Sequence, residues 1–212
     1  MTCSSQFDRI MRDCRITLPG AIDDAIKEEF FNVADEFFKS TQLWQETIQL
    51  GVTAGQLEYD VESNEWLAVV DMLMGVDNGN GIPVHAEMCT PGILKLRYDP
   101  TDGGIYNVKL ALTVAECDQG RCQCGCGNAG CTNGFPQVPQ WILQKYRGTF
   151  TEGVQSRMMG QLAKPYYNEK LGVYHGQRFR SGMAYARMQA ARQNVYNNQA
   201  WTFPYFADGR RD

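Results

Sequence analysis

The chain has 212 residues, of which 43% are hydrophobic and 21% charged, with a formal net charge of −4 at pH 7. This composition is ordinary for a globular protein with one sizeable core or two modest ones. No apolar run approaches the ~20 residues of a membrane-spanning helix, and the start of the sequence lacks the apolar segment of a secretory signal, so we expect a soluble protein made in the cytoplasm.

The first strong element is a helix predicted over residues 21–39. Apolar side chains recur there at the i, i+3, i+4, i+7 spacing of an amphipathic helix, and acidic residues crowd its first turns, where the helix dipole favours negative charge. The apolar positions are Ile22, Ala25, Ile26, Phe30, Val33, Ala34, Phe37 and Phe38. We expect this face to pack in a core.

A β-rich region is predicted from about residue 42 to residue 116. The segments WQETIQLGV and GQLEYDV alternate loosely, and Gly51 and Gly55 bracket their connection, so the two are predicted to form a hairpin. WLAVVDMLMGV predicts a buried strand, and NGNG at 78–81 predicts a turn. Further strands are expected in IPVHAEM, GILKLRYDP and IYNVKLALTVAE, which gives six or so strands.

Helical periodicity returns at Pro139, a favourable first-turn residue. A helix is predicted from there to Pro165, with its apolar stripe at Leu143, Tyr146, Phe150, Val154, Met158 and Leu162. A second helix begins near Asn168. Its apolar face is predicted to comprise Leu171, Tyr174, Phe179, Met183, Ala186 and Ala190, and its other face carries Arg178, Arg180, Arg187 and Arg192.

These elements predict an α+β fold. Three main helices form an antiparallel bundle, from which a small antiparallel β-domain projects as an insertion, and an extended C-terminal tail follows. The predicted divisions are an N-terminal segment with the first bundle helix (1–41), an inserted β-domain with a cysteine-rich loop (42–138), the later bundle helices (139–198) and the tail (199–212).

Charge is divided unevenly along the chain. Residues 1–138 carry 9 Lys/Arg and 20 Asp/Glu, whereas residues 139–212 carry 11 and 4. This division indicates separate surfaces for different partners, including the basic part of one subunit against the acidic part of a neighbour, or simply two helices with solvated arginine-rich faces. The charges alone leave both interpretations open.

The cysteine-rich loop CDQGRCQCGCGNAGC contains five thiols: Cys117, Cys122, Cys124, Cys126 and Cys131. Four thiolates can hold zinc tetrahedrally, but the paired C-x2-C spacing of a zinc knuckle is absent. Disulfides are disfavoured in a reducing compartment, and a loop that is incidentally rich in cysteine is the remaining interpretation. We assign no metal and no cofactor to the chain, and expect any bound metal to be structural.

Signals for catalysis are sparse. The sequence has two histidines, His85 and His175, and neither has a cysteine, serine or carboxylate at a recognisable catalytic spacing. Phosphate-binding and dinucleotide-binding motifs are absent from the sequence. The arginines of the last helix spread around it without a helix-turn-helix, so non-specific phosphate contact and docking on an acidic protein surface are both open. We expect a protein that is not an enzyme.

The segment WTFPYFADGRRD places four aromatic rings beyond the last predicted helix. Such a segment cannot bury its rings within itself. It either folds back on its own helices or inserts into a groove on another molecule, with the rings as anchors and the Arg-Arg pair as charged ends. Physical reasoning on the sequence alone does not choose between these interpretations.

Four stretches together resemble one family, the head-to-tail adaptor (connector) proteins of short-tailed bacteriophages. They are LPGAIDDAIKEEFFNVADEFFKSTQLWQETIQL, VPQWILQKYRGTFTEGVQSRMMGQLAKPYYN, LGVYHGQRFRSGMAYARMQAAR and WTFPYFADGRR. They cover a little over half of the chain, and the β-region matches only in outline. The five-cysteine loop is not a feature of the resemblance.

The resemblance implies a structural virion protein at the head–tail junction, assembled in the host cytoplasm. Such proteins form a twelve-fold ring under the portal protein, close the packaged head, and give the tail nozzle and tail fibre proteins a platform, while genomic DNA passes without sequence-specific contact. It implies that helices 21–39, 141–162 and 168–194 form the ring. The implied portal-docking residues are Trp201, Phe203, Pro204, Tyr205, Phe206, Arg210 and Arg211. The alternatives are a tail nozzle or other tail-completion protein and a small zinc-binding cytoplasmic module.

Overall fold

The computed structural model describes residues 6–63, 68–98, 100, 103–114 and 138–191. Within them the fold is mixed α+β, as predicted. The helices are α1 (Gln6–Thr17), α2 (Asp23–Thr41), α3 (Gln140–Lys145), α4 (Arg147–Met159) and α5 (Glu169–Ala191), and the strands are β1 (Gln45–Val52), β2 (Glu58–Asp60), β3 (Ala68–Asp77), β4 (Ala86–Thr90), β5 (Ile93–Leu96) and β6 (Gly104–Val114).

The six strands form two antiparallel sheets of three strands each. One has the order β1-β6-β3 and the other β2-β5-β4. The register between β1 and β6 is unbroken from the pair Gln45–Ala111 to the pair Val52–Gly104. The register between β3 and β6 slips twice, once after Val70, and such bulges bend and twist a strand.

The predicted hairpin between the first two strands is wrong. The chain does turn after β1, with Gly55 at a φ of 82° and the Gln56 N–H donating to the Thr53 carbonyl. The Tyr59 hydroxyl secures this turn, accepting a hydrogen bond from the Thr53 N–H at 3.1 Å. However, β1 pairs with β6 and β2 pairs with β5. The residues of the turn determine where the chain reverses. They do not determine which strands pair, because each strand here pairs with one that is distant in sequence.

Strand β3 exists as predicted, but it is only partly buried, with Val70 and Val76 in the core. Val69 is 45% exposed and Met72 is 46% exposed, and β3 lies at the edge of its sheet. The predicted turn at 78–81 is confirmed, with Gly79 and Gly81 at φ values of 79° and 81°. Asparagine-glycine pairs suit such turns because glycine adopts positive φ without steric cost.

An aromatic cluster forms the centre of the helical core. Phe37 of α2 lies 4.7 Å from Phe150 of α4, ring centroid to centroid, and Phe30 lies 5.6 Å from the same ring. Phe38 contacts Trp44, just before β1, at 5.3 Å. The Asp35 carboxylate accepts a hydrogen bond from Thr113 of β6 at 2.8 Å. Helix α2, predicted over 21–39, therefore packs α4 on one side and a sheet on the other.

The helix predicted from Pro139 onward is two helices. Tyr146, at a φ of −112°, separates α3 from α4, and its hydroxyl donates to the Gln189 side chain of α5 at 2.7 Å. Helix α4 ends at Met159, so that Leu162, predicted on the apolar stripe, is 73% exposed in the following loop. The helix is therefore interrupted at the residue whose side chain hydrogen-bonds to α5.

Helix α1 was not predicted. Its buried side chains, Ile10, Met11 and Cys14, recur at helical spacing, and Arg147 of α4 donates to the Asp13 carboxylate at 2.9 Å. None of the helices in the described part of the chain combines the length and apolar character needed to cross a membrane.

Candidate protein-docking surface

Helices α4 and α5 approach each other closely because glycines line their contact. A Cβ at Gly176 of α5 would lie 2.8 Å from the Ser156 hydroxyl oxygen, and one at Gly153 of α4 would lie 3.0 Å from the Phe179 ring of α5. The Ser156 hydroxyl donates to the Gly172 carbonyl at 2.9 Å. This tight seam fixes which half of α5 faces the core and which faces outward.

A polar cluster joins the same two helices. The Glu152 carboxylate of α4 accepts a hydrogen bond from Nδ1 of His175 at 2.5 Å, and it forms an ion pair with Nε of Arg178 at 3.1 Å. The His175 and Glu152 side chains are only 15% and 17% exposed. Arg178 also donates to the Tyr174 hydroxyl at 2.9 Å, and this bond, together with the Glu152 charge, raises the pKa of Arg178 above its ordinary value.

The cluster contains the imidazole–carboxylate half of a catalytic triad, an arrangement that sequence spacing did not reveal. The Ser156 hydroxyl is committed to the Gly172 carbonyl, so the geometry does not present it to His175 as a nucleophile. In the part of the chain that the structure describes, no group of three or more His, Cys, Asp or Glu side chains could hold a metal ion. The arrangement anchors α5 and orients Tyr174 and Arg178 at its surface.

The outward half of α5 is apolar, aromatic and basic, and we call it the α5 face. Five of its larger apolar side chains are between 42% and 55% exposed: Leu171, Val173, Tyr174, Tyr185 and Met188. Lys170, Arg178, Arg180 and Arg187 are exposed among them. Tyrosine, methionine and arginine are enriched at protein interfaces, and exposed apolar side chains grouped on one helix mark a contact surface. Leu171 and Tyr174, predicted to pack inward, belong to this face instead.

The β-region offers the opposite charge. Its described residues between positions 45 and 114 include seven Asp/Glu and three Lys/Arg. Asp60 and Glu62 are exposed there, and Glu28 is exposed on α2. The uneven division of charge along the sequence therefore corresponds to two surfaces in the structure, a basic one on α5 and an acidic one on the β-region.

The residues predicted to dock to a portal, Trp201, Phe203, Pro204, Tyr205, Phe206, Arg210 and Arg211, lie outside the described residues. The cysteines of the loop, Cys117, Cys122, Cys124, Cys126 and Cys131, lie outside them too. His85 is exposed just before β4, with its ring centroid 6.3 Å from that of Tyr98. The two histidines are thus on different elements, and the one paired with a carboxylate is His175.

Neither the comparison with protein-family models nor the comparison with curated proteins finds a match to this chain.

Proposed function

We propose that this chain is a non-enzymatic structural protein of a virion, a head-to-tail adaptor like those of short-tailed bacteriophages. It forms a ring under the portal, closes the DNA-filled head and gives the tail nozzle and tail fibre proteins a platform. The observation that carries the proposal is the α5 face. It exposes large apolar side chains among arginines on a helix whose other half is locked in place, which suits a helix that packs against another protein chain.

The proposed ring is a homo-oligomer of twelve copies, the number that the family resemblance implies. In it, α2, α4 and α5 form an antiparallel bundle, and the α5 face of one copy contacts the acidic surface of the next. The charge of the two surfaces supports this: the face carries Arg180 and Arg187, while Asp60 and Glu62 lie exposed on the β-region. Complementary charge orients such contacts and suppresses wrong pairings.

The proposed portal contact is made by the aromatic segment at 201–206 together with Arg210 and Arg211. It rests on the sequence resemblance and on the composition of that segment. Aromatic and arginine side chains are the residues that most often anchor an interface. Genomic DNA passes through the ring without sequence-specific contact, and the protein is located at the head–tail junction of the virion.

Co-sedimentation with portal assemblies from the same source tests the proposal. The full chain should sediment with the portal, and a chain ending at residue 198 should remain in the supernatant although its circular dichroism shows a folded protein. Binding by the truncated chain would contradict the proposed role of the aromatic segment in the portal contact. Failure of both chains to bind would overturn the adaptor function.

A pair of tyrosine substitutions tests the α5 face separately. Tyr185 is 51% exposed on α5 and Tyr98 is 67% exposed in the β-region, so Tyr185→Ser and Tyr98→Ser remove the same group from two exposed sites. With portal present, electron microscopy should show rings for Tyr98→Ser and incomplete rings for Tyr185→Ser. Complete rings from both variants would contradict a role for the α5 face in ring contacts.

The two alternatives predict other outcomes. A tail nozzle or other tail-completion protein binds tail components and has no affinity for the portal. A zinc-binding cytoplasmic module contains stoichiometric zinc and unfolds when a chelator removes it. Elemental analysis of the purified chain, before and after chelation, distinguishes this last function from an adaptor that keeps its fold.

A further inference from the structure

The turn that follows β3 contains two asparagine-glycine pairs, Asn78-Gly79 and Asn80-Gly81. An asparagine followed by glycine can deamidate without an enzyme, because glycine has no Cβ to hinder attack by its own backbone nitrogen on the asparagine side chain. The two pairs are adjacent in sequence and share one turn. Their hydrogen bonding and packing in the structure nevertheless differ.

The backbone nitrogen that would attack Asn78 is occupied. The Gly79 N–H donates a hydrogen bond to the Asp77 carboxylate at 2.9 Å. A hydrogen bond to an ionised acceptor is stronger than one between neutral groups, so removing the Gly79 proton, which the attack requires, becomes more difficult. Gly79 is also closely packed, because a Cβ at this position would lie 2.5 Å from the Ile105 carbonyl oxygen.

The Asn78 side chain is held in place by hydrogen bonds within the turn. Its amide oxygen accepts hydrogen bonds from the Asn80 N–H at 3.1 Å and from the Ile82 N–H at 3.2 Å. The Asn78 N–H in turn donates to the Ile82 carbonyl at 3.0 Å. An asparagine that caps a turn in this way must give up these two hydrogen bonds before its side chain can rotate.

Asn80 has none of these restraints. Its side chain is exposed and makes no hydrogen bond to any described residue, and the same is true of the Gly81 N–H. A Cβ at Gly81 would meet no heavy atom within 4 Å. The Asn80 side chain can therefore rotate toward the Gly81 nitrogen, and neither group must first break a contact within the described structure.

We propose that Asn80 is a site of spontaneous deamidation in the folded protein and that Asn78 is protected by the turn. The Gly81 nitrogen attacks the Asn80 side-chain carbon, an N–C bond forms, and the C–N bond to the side-chain amide breaks. Ammonia leaves with the proton from the Gly81 nitrogen. Water then opens the resulting succinimide at either carbonyl, which gives aspartate or isoaspartate. The product adds a negative charge three residues from Asp77.

Peptide mass spectrometry of the full chain tests this proposal. Cleavage after Glu65 and Glu87 releases residues 66–87, in which Asn78 and Asn80 are the only amide side chains. After incubation of the folded protein at mildly alkaline pH and body temperature, we expect the mass gain of one deamidation, assigned to Asn80 by electron-transfer fragmentation, with isoaspartate among the products. In concentrated urea, both asparagines should react at similar rates.

Two matched variants locate the reaction. Asn80→Gln should abolish the mass gain in the folded protein, since glutamine forms the corresponding ring far more slowly, and Asn78→Gln should retain it. Asp77→Ala frees the Gly79 N–H, which removes one of the restraints on Asn78, and should make Asn78 react faster than in the wild type. Equal reaction of the two asparagines in the folded wild type would overturn the proposal, as would a folded chain that reacts at neither position while the urea sample reacts at both.

Discussion

Gly182 of α5 lies so close to Thr149 of α4 that a Cβ at position 182 would be 2.5 Å from the threonine hydroxyl oxygen. The next atoms in its path are the Thr149 Cγ2 and Cβ, at 2.6 Å and 3.1 Å. This contact continues the glycine seam that includes Gly172 and Gly176. The orientation of the α5 face therefore depends on residues that have no side chain.

Gly182→Ala is expected to destabilise the protein. Forced overpacking costs about 1–3 kcal/mol, and the better helix propensity of alanine returns about 1 kcal/mol, so we expect a net loss of up to about 2 kcal/mol in urea unfolding. Gly148→Ala in α4 is the control, because nothing lies within 4 Å of a Cβ there, and it should leave the stability unchanged or slightly raised. Equal stabilities for the two variants would contradict the close approach.

Two buried threonines should respond to valine in opposite directions. Thr41 is 1% exposed, and its hydroxyl has no hydrogen-bond partner among the described residues. Thr113 is 5% exposed and donates to Asp35 at 2.8 Å. Each valine keeps the shape of the side chain. Since an unpaired buried polar group is costly, Thr41→Val should raise the free energy of unfolding by about 1 kcal/mol, whereas Thr113→Val should lower it by a similar amount. Denaturant titration measures both, and a loss at Thr41 would contradict the assignment.

Cys14 should make the protein less stable at alkaline pH. Burial, aided by the Asp13 charge, raises the pKa of its thiol from 9.0 to about 12. The folded state thus holds this proton more tightly than the unfolded state. The resulting stability is complete below about pH 9 and is lost as the pH rises from there toward 12, by at most about 1.4 kcal/mol per pH unit.

The measurement is the urea midpoint as a function of pH for Cys14→Ala and for Cys89→Ala, whose thiol is exposed. The Cys89 variant should keep the wild-type slope above pH 9, and the Cys14 variant should show a smaller one. Comparing slopes removes the effect of a lower starting stability in the Cys14 variant. Identical slopes in both would show that Cys14 does not titrate as proposed.

Arg157 should contribute a salt-dependent part of the stability. Its guanidinium contacts the Glu36 carboxylate at 2.6 Å and the Glu29 carboxylate at 3.8 Å, which ties α4 to α2. Because the side chain is 39% exposed, solvent screens these pairs, and Arg157→Met should cost about 1 kcal/mol or less, with the loss shrinking at high salt. Arg187→Met is the control, since Arg187 makes no ion pair with a described residue. A loss at Arg157 that is insensitive to salt would point to packing of its aliphatic stem instead.

Periodic patterns in the sequence predicted individual elements well and their partners poorly. Helix α2 and the 78–81 turn follow from local spacing and glycine chemistry, and α1 could have been found in the same way from Phe7, Ile10, Met11 and Cys14. The pairing of β1 with β6 spans more than fifty residues, and local sequence carries little information about it. The Glu152–His175 pair was missed for a related reason: it is formed across a helix–helix seam rather than at a motif spacing.

The breaks and exposures of the later helices could not be read from periodicity either. The helical spacing of apolar residues continues on both sides of Tyr146. The helix is nevertheless interrupted at Tyr146, whose hydroxyl donates a hydrogen bond to Gln189 of α5. Leu171 and Tyr174 continue an apolar stripe in sequence, but Gly172 and His175 occupy the inward positions. The side of α5 that faces inward is set by its close packing against α4 at glycine positions. A hydrophobicity pattern does not register these glycines.

The contacts between α1 and α4 have a consequence for synthesis. Gln155 donates to the Thr17 hydroxyl at 2.7 Å across 138 residues of sequence. At the ~5–20 residues per second of translation, a ribosome needs on the order of ten seconds to make the second partner after the first. During that interval the apolar faces of α1 and α2 have left the exit tunnel without the helix that covers them. We therefore expect the nascent chain to expose these faces to chaperones until α4 emerges.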